Sequence, residues 1–250
     1  MKEKEMIFGI RAVIEAIEAG KDIDKVMVKR ELSGDLFMEL LQLVRTYEIP
    51  MQKVPVERID RFTRKNHQGV IAFTSAVTYQ RLEHIVPLLY EEGKTPLILV
   101  LDGLTDVRNF GAIARTCEVA GVDAIVIPER GSVTVNADAI KTSAGALHTI
   151  PVCREQSLKE AIVFLRNSGI KVVAATEKAA SYYTESDFTV PVAIVMGAED
   201  MGVAADNLRV SDELVRIPQI GTIQSLNVSV AAGVLIYEVV RQRGERSTDN

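Results

Sequence analysis

From Leu97 onward, short continuous runs of apolar residues alternate with amphipathic segments of helical length. Strands that are apolar throughout are buried on both faces, which is typical of parallel sheets covered by helices. The pattern therefore predicts an α/β fold with a mainly parallel sheet, whose ligands would bind beyond the carboxyl ends of the strands. The predicted strands are Leu97–Leu101, Ala124–Ile127, Lys171–Ala175, Val192–Met196 and Leu214–Ile217.

The residues that precede this sheet predict a smaller α/β unit. Apolar residues recur at helical spacing from Phe8 to Ala19, and a second amphipathic helix is predicted near Asp35 to Tyr47. Short apolar runs predict strands at Lys25–Val28 and Val70–Thr74.

Turn formers and charged residues cluster between the two regions, from Tyr79 through Pro87 to Glu91–Pro96. Such a composition favours a linker. The predicted boundaries are 1–78 for the small unit, 79–94 for the linker and 95–245 for the sheet domain, with a disordered tail at 246–250.

One stretch near the C-terminus, Ile217–Ser229, bears Gly, Ser and Asn residues and joins a predicted strand to the longest clean helical pattern of the chain. Either Ser225 or Asn227 would cap that helix at its N-terminus. An ordinary strand-to-helix cap explains this stretch as well as a ligand site does. The helix is predicted from the spacing of Val228, Ala231, Ala232, Leu235 and Val239.

Two further polar loops, Asp102–Gly111 and Gly197–Gly202, also follow predicted strands directly. Because the carboxyl ends of parallel strands share one edge of a sheet, we expect these loops and Ile217–Ser229 to converge there.

The composition is that of a soluble globular protein, with 47% hydrophobic and 25% charged residues among 250. No apolar run approaches the roughly 18 residues of a membrane span, and acidic residues throughout the N-terminal segment exclude a signal peptide. We therefore expect a cytoplasmic protein. Cys117 and Cys153 lack CxxC spacing and lie in apolar surroundings, which favours buried free thiols.

The net charge of −5 argues against a general polyanion binder but hides an asymmetry. Residues 1–78 hold 13 basic and 12 acidic side chains, whereas 79–250 hold 16 and 22. A solvated face explains the two basic groups of the first part as well as RNA binding does. These groups are Lys25, Lys29 and Arg30, and Arg58, Arg61, Arg64 and Lys65.

Several familiar sites are excluded by spacing. Gly197–Gly202 lacks the Lys and Ser/Thr of a phosphate loop, and neither GxGxxG after a strand nor GxSxG occurs. His67, His84 and His148 are isolated from one another and from cysteines, so no metal site is predicted.

Three motifs stand in order on the predicted sheet domain: Asn109–Arg115 with Gly121, then Met196–Gly202, then Ile217–Ser229. Together they resemble the motifs of SpoU-type (TrmH-like) RNA ribose 2′-O-methyltransferases of the SPOUT superfamily. All three in this order across residues 97–243 are a specific signature, whereas any one alone would be weak.

The resemblance extends to the small unit. Phe8–Val13 and Asn66–Val70 resemble the substrate-binding domain of bacterial 23S rRNA guanosine 2′-O-methyltransferases, which is similar to a ribosomal-protein RNA-binding fold. Because the shorter tRNA methyltransferases of the family generally lack this domain, the resemblance favours large-subunit rRNA as the partner.

For the fold, the resemblance implies a deep C-terminal trefoil knot, which general rules of chain topology would not propose. For the ligand, it implies S-adenosylmethionine held in a bent shape by the knotted backbone. The cofactor contacts carried over fall at Thr176, Gly197, Ile217 and Leu226. Backbone groups and apolar cover suit a neutral purine.

The implied reaction is methyl transfer from a sulfonium to a ribose 2′-hydroxyl. The family's candidate catalytic residue is Arg115, which Asn109 would orient, while Glu199, Ser225 and Asn227 would position the ribose and the ligand. An arginine pKa above about 12 makes a literal base role difficult, so we expect Arg115 to stabilise the developing alkoxide as a fixed cation.

Two alternatives stay open: a tRNA ribose 2′-O-methyltransferase with the same site, and a non-catalytic RNA-binding ribosome-assembly factor. The presence of all five candidate catalytic residues argues against the second. The resemblance also implies a homodimer whose knots pack together near the site.

Overall fold

The computed structural model describes residues 6–222 and 225–247. Two compact units are present, one of Met1–Thr78 with Thr134–Ala137 and one of Tyr79–Val133 with Asp138–Asn250. The tail predicted at 246–250 lies for the most part outside the described residues.

The first unit is built on a four-stranded mixed sheet. Its strands are β1 (Met6–Phe8), β2 (Ile23–Lys29), β3 (Met51–Val54) and β4 (Val70–Thr74), in the order β1-β4-β2-β3. β4 runs antiparallel to both β1 and β2, whereas β2 and β3 are parallel. The helices are α1 (Ile10–Glu18), α2 (Asp35–Thr46) and α3 (Val56–Asp60).

The two faces of this sheet bury different sets of residues. Val13 of α1 and Leu40 of α2 pack against Val26 on one face. Ile59 of α3 packs with Met27 and other residues on the opposite face.

The helix predicted to begin at Phe8 begins at Ile10 instead, because residues 6–8 form β1 and Gly9 turns the chain with φ +93°. The two motifs of this unit lie side by side. The N–H of Gly9 donates to the carbonyl of Val70 at 3.0 Å, and the N–H of Ile10 donates to Oε1 of Gln68 at 3.2 Å. The second motif thus supplies acceptors for N–H groups at the start of α1 that have no partner within the helix.

The second unit contains a seven-stranded sheet whose strand pairs are all parallel, as the apolar runs predicted. Its order is β7-β6-β5-β10-β8-β11-β9. The strands are β5 (Leu97–Asp102), β6 (Ala124–Pro128), β7 (Val152–Glu155), β8 (Lys171–Ala175), β9 (Ser181–Tyr182), β10 (Val192–Gly197) and β11 (Glu213–Arg216).

Helices follow most of these strands and cover both faces, which is why the strands are apolar throughout. In chain order, the helices after Tyr79 are α4 (Leu82–Glu91), α5 (Val107–Ala120), α6 (Ala137–Thr142), α7 (Leu158–Asn167), α8 (Ala205–Val210) and α9 (Val228–Ser247). Short 3-10 turns lie at Ala146–His148 and Tyr183–Glu185.

The linker predicted at 79–94 is wrong, because α4 occupies most of it and packs inside the second unit. Leu82 and Val86 are buried in that unit's main core. The N–H of Leu82 donates to Oε1 of the buried Glu155 at 2.9 Å. A carboxylate on β7 thus accepts a hydrogen bond from an N–H group in the first turn of α4 that has no partner within the helix.

The last helix, α9, buries the apolar stripe expected from its sequence, although Ile236 is buried in place of the half-buried Ala231. The guanidinium of Arg243 donates to the carbonyls of Thr95, Pro96 and Val190 at 2.8 to 3.1 Å. These hydrogen bonds join α9 to the chain segments that lead into β5 and β10. The trefoil knot remains a prediction.

Among helices in the described part of the chain, none combines the length and apolar composition of a membrane span. Within residues 6–222 and 225–247, no group of three His, Cys, Asp or Glu side chains is placed to hold a metal ion. Cys117 and Cys153 are buried free thiols, as predicted.

Candidate active site

Three side chains from the three polar loops meet beyond the carboxyl ends of β5 and β10, which are neighbours in the sheet. Nδ2 of Asn109 donates to Oε1 of Glu199 at 3.0 Å, and Nδ2 of Asn227 donates to the same oxygen at 2.6 Å. Nδ2 of Asn227 also lies 3.1 Å from Oδ1 of Asn109. The predicted convergence of the loops is confirmed.

Helix caps place the two asparagines. Oδ1 of Asp106 accepts from the N–H groups of Arg108 and Asn109, both at 2.8 Å, which starts α5 and sets Asn109 in its first turn. Oδ1 of Asn227 accepts from the N–H of Ser229 at 2.9 Å. Of the two capping candidates for α9, Asn227 is therefore the cap.

Glu199 stands at the N-terminus of α9. Its Oε1 accepts from both asparagine amides and lies 3.3 Å from the N–H of Val228 in the first turn of the helix. An anionic group in this position interacts favourably with the helix dipole and with the N–H groups that have no partner within the helix. One carboxylate thus joins the starts of α5 and α9 to the loop after β10.

Glycine makes the Glu199 loop possible. The loop folds back so closely that a Cβ on Gly197 would lie 1.9 Å from the carbonyl carbon of Gly202, and Gly202 itself has φ +64°. A side chain at position 197 would therefore push the loop away from the strand.

Asp102 holds the far end of the same loop, a role not assigned from the sequence. Its Oδ2 accepts from the N–H of Ala204 at 2.7 Å and from Nδ2 of the buried Asn207 at 2.9 Å. The signal in the sequence is a carboxylate placed directly after an apolar strand.

Arg115 does not join the cluster. It is exposed on α5, and within the described residues neither an ion pair nor a hydrogen bond connects it to Asn109, whose side chain contacts Glu199 and Asn227. That Asn109 orients Arg115 therefore stays a prediction. Six positions along a helix separate side chains by about 9 Å and about 120°, which places the two on different sides of α5.

Ser225 is exposed and lies two positions before the cap. No hydrogen bond of its hydroxyl is present among the described residues. Its place beside the cluster follows only from its closeness to Asn227 in the chain.

The four predicted cofactor contacts lie at the carboxyl edge, beyond neighbouring strands. Thr176 follows β8, Gly197 ends β10 and Ile217 follows β11, and these strands are adjacent in the order β10-β8-β11. Leu226, 41% exposed, precedes α9. None of the four carries a charge.

Uncharged groups at this edge suit a neutral purine, which needs backbone donors and acceptors together with apolar cover. Ile220 in the loop after β11 is 99% exposed, so apolar surface is available beside Ile217 and Leu226. The residues therefore fit an adenosine ligand.

Two family models match the chain. Residues 96–237 match the SpoU rRNA Methylase family, and residues 6–80 match the RNA 2′-O ribose methyltransferase substrate binding domain. The chain belongs to the SpoU rRNA methylase family. The SpoU match contains the Asn109, Glu199 and Asn227 cluster, and the substrate-binding match coincides closely with the first structural unit.

A curated relative from Staphylococcus saprophyticus, assigned to the TrmH family of tRNA/rRNA methyltransferases, is 35% identical over 96% of this chain and 97% of its own length. The S-adenosylmethionine-bound rRNA methyltransferase of Sinorhizobium meliloti is 26% identical, with a TM-score of 0.60 over 94% of this chain and 86% of that one.

The A. aeolicus TrmH/SpoU tRNA modifying enzyme is also similar in structure, with 28% identity and a TM-score of 0.55. Its match covers 66% of this chain and 86% of that one. Family membership and the S-adenosylmethionine-bound relative make this SpoU protein an RNA methyltransferase that uses S-adenosylmethionine.

Proposed function

We propose that this SpoU protein transfers the methyl group of S-adenosylmethionine to the ribose 2′-hydroxyl of a guanosine in 23S rRNA. The observation that carries the proposal is the joining of Asn109, Glu199 and Asn227 at the edge where the three SpoU motifs meet. The substrate-binding family model on residues 6–80, described as that of RNA 2′-O ribose methyltransferases, supports the ribose as the acceptor.

The 2′-hydroxyl is a poor nucleophile at neutral pH, so the site must stabilise its oxygen as the proton leaves. Bound S-adenosylmethionine would supply an electrophilic methyl group. Arg115 would hold an RNA phosphate and the developing alkoxide as a fixed cation, because a guanidinium group carries only hydrogen-bond donors and has no acceptor atom to take up the proton. The proton passes to another group or to water.

The cluster would position the acceptor ribose. The amides of Asn109 and Asn227 and the carboxylate of Glu199 hold one another in place, so polar groups are preorganised before the substrate arrives. The exposed Ser225 would complete this surface when the ribose binds. Thr176, Gly197, Ile217 and Leu226 would bind the cofactor.

Large-subunit rRNA is favoured over tRNA by the first unit. The match to the S. meliloti rRNA methyltransferase extends over 94% of this chain, whereas the match to the A. aeolicus tRNA modifying enzyme extends over 66%. A tRNA ribose 2′-O-methyltransferase is the second candidate, because the curated relatives are assigned to both substrates. A non-catalytic ribosome-assembly factor is disfavoured by the intact cluster.

The catalytically competent form would be a homodimer. Val230, Tyr237 and Val240 fall on one side of α9 and are 52%, 50% and 37% exposed. On α5, which packs against α9, Val119 is 65% exposed and lies one turn beyond Arg115. A second copy covering this apolar surface would bring its own groups close to Arg115.

The substrate is tested by incubating the full chain with methyl-labelled S-adenosylmethionine and either protein-free large-subunit rRNA or bulk tRNA. Nuclease digestion then identifies the labelled nucleoside. The proposal expects label in a 2′-O-methylguanosine from rRNA. Label in a tRNA ribose would instead establish the second candidate, and cofactor binding with label in neither RNA would favour the assembly factor.

A further inference from the structure

One face of the first unit's sheet carries aromatic and basic side chains that the methyl-transfer site does not use. α1 and α2 cover the opposite face. On this face, α3 covers Met27 and Ile71 through Ile59, while Phe8 and Phe73 are only partly buried. The sheet is therefore covered on one side and partly open on the other.

The aromatic rings and lysines on this open face contact one another. Phe62, in the loop after α3, lies 5.1 Å from Phe73 between ring centroids in an edge-to-face arrangement and is 40% exposed. Nζ of Lys25 lies 5.1 Å from the centroid of Phe73, and Nζ of Lys65 lies 5.6 Å from that of Phe8. We call these five residues the aromatic face.

The loop that presents Phe62 and Lys65 is fixed at its base. Nδ1 of His67 accepts from the N–H of Gly69 at 2.9 Å, and its Nε2 lies 2.8 Å from Oδ1 of Asp60. Asp60 and His67 therefore close the loop on either side of Phe62 and Lys65. A fixed loop loses less conformational entropy when a ligand binds.

The charge around the loop is suited to a polyanion. Between Val56 and Gly69 there are four basic side chains and two acidic ones, Glu57 and Asp60, and Asp60 is engaged by His67. The basic residues are Arg58, Arg61, Arg64 and Lys65, and all four are exposed.

We propose that the aromatic face binds an unpaired segment of the substrate RNA, with a base stacked on Phe62 and flanking phosphates held by Lys25 and Lys65. This inference rests on the proposed RNA substrate. Exposed aromatic rings beside lysines form the usual platform for single-stranded nucleic acid, whereas the stacked bases of a duplex cannot reach a phenyl ring. The ring of Phe73 packs against the ring of Phe62 and holds it in position.

The test measures binding of a short fluorescein-labelled RNA of mixed sequence to the full chain, as a single strand and annealed to its complement. The wild type should bind the single strand more tightly. Phe62→Ala should weaken single-strand binding about tenfold and leave duplex binding nearly unchanged. Lys65→Ala should reduce the slope of log Kd against log salt by about 0.7.

Matched variants separate a local effect from a general one. Tyr47 is 55% exposed at the end of α2, so Tyr47→Ala should leave RNA binding unchanged. Lys53 lies over Phe37 on the helix-covered side, with Nζ 5.6 Å from the ring centroid, and Lys53→Glu should weaken binding much less than Lys25→Glu. If Phe62→Ala fails to fold, Phe62→Leu keeps the apolar contact and loses the stacking surface.

Equal single-strand binding by the wild type and a folded Phe62→Leu would overturn the inference, as would equal losses in Phe62→Ala and Tyr47→Ala. The proposed function is judged separately. Methyl transfer with an unchanged KM for RNA in the Phe62 variants would reject the aromatic face and keep the enzyme. Phe62-dependent RNA binding without any methyl transfer would keep the aromatic face and reject the proposed reaction.

Discussion

Nδ2 of Asn227 lies 2.6 Å from Oε1 of Glu199, although the two residues are 28 positions apart in the chain. The same asparagine caps α9 through its Oδ1. One side chain therefore both starts the last helix and fixes the loop after β10. Because the two roles use different atoms of the amide, they are separable by substitution.

Asn227→Ser should keep the cap and lose the contact with Glu199, whereas Asn227→Ala should lose both. We expect Asn227→Ala to lower the free energy of unfolding by about 1 kcal/mol more than Asn227→Ser does. Both variants should lose most methyl transfer. Urea unfolding followed by circular dichroism, together with the transfer rate, measures the two effects. Wild-type activity in Asn227→Ser would contradict the role in the site.

Gly197→Ala should open the loop that carries Glu199, because the added Cβ would lie 1.9 Å from the carbonyl carbon of Gly202. We expect a loss of about 1–3 kcal/mol in unfolding free energy, together with loss of activity. Gly233→Ala in α9 is the matched control. Its Cβ would come no closer than 4.0 Å to Thr116, so stability should rise by about 0.5–1 kcal/mol. Equal melting temperatures of the two variants would contradict this account.

Burial raises the pKa of Cys153 from 9.0 to about 12, and it also raises the pKa of Cys117. Both thiols should therefore stay protonated and unreactive toward a thiol reagent at neutral pH until the chain unfolds. In the unfolded chain they ionise near pH 9, so the native state binds more protons between pH 9 and 12. Their contribution to stability is present below pH 9 and is lost as the pH rises through this range. Cys153→Ala should flatten the alkaline decline measured by denaturant titration.

Tyr237→Arg should convert the proposed dimer into a monomer in sedimentation velocity and abolish methyl transfer, because it places a charge in the exposed apolar surface of α9. Met38 of α2 is 61% exposed, and Met38→Arg should change neither property. A wild-type protein that sediments as a fully active monomer would refute the proposed dimer.

Strands that are apolar throughout were predicted from the sequence, whereas β7 and α4 were missed. β5 and β10 are buried central strands, and their runs were recognised directly. β7 was missed because Arg154 and Glu155 interrupt its apolar residues, although Glu155 is buried against α4. The helix α4 was mistaken for a linker because Pro87 and its charged residues resemble a loop. Leu82 and Val86 are buried in the core of the second unit, which shows that this segment is a packed helix. Their burial depends on contacts with residues distant in sequence, which the local pattern does not reveal.

The site was predicted in its location and partly in its contacts. The meeting of Asn109, Glu199 and Asn227 followed from parallel strands that end at one edge. The partners of each side chain did not follow, because hydrogen bonds depend on helix rotation, which turned Arg115 away from Asn109. The role of Asp102 required knowing that the loop returns to β5.

The proposed reaction is methyl transfer to a ribose with Arg115 as the stabilising cation. It is tested most directly by comparing the wild type with Arg115→Ala for S-adenosylmethionine affinity by calorimetry and for transfer of labelled methyl to protein-free large-subunit rRNA. We expect label on a ribose in the wild type, and for Arg115→Ala an unchanged cofactor affinity with a loss of about 100-fold or more in turnover. Wild-type protein that binds the cofactor but labels no ribose, or an Arg115→Ala variant that loses affinity and turnover equally, would contradict it.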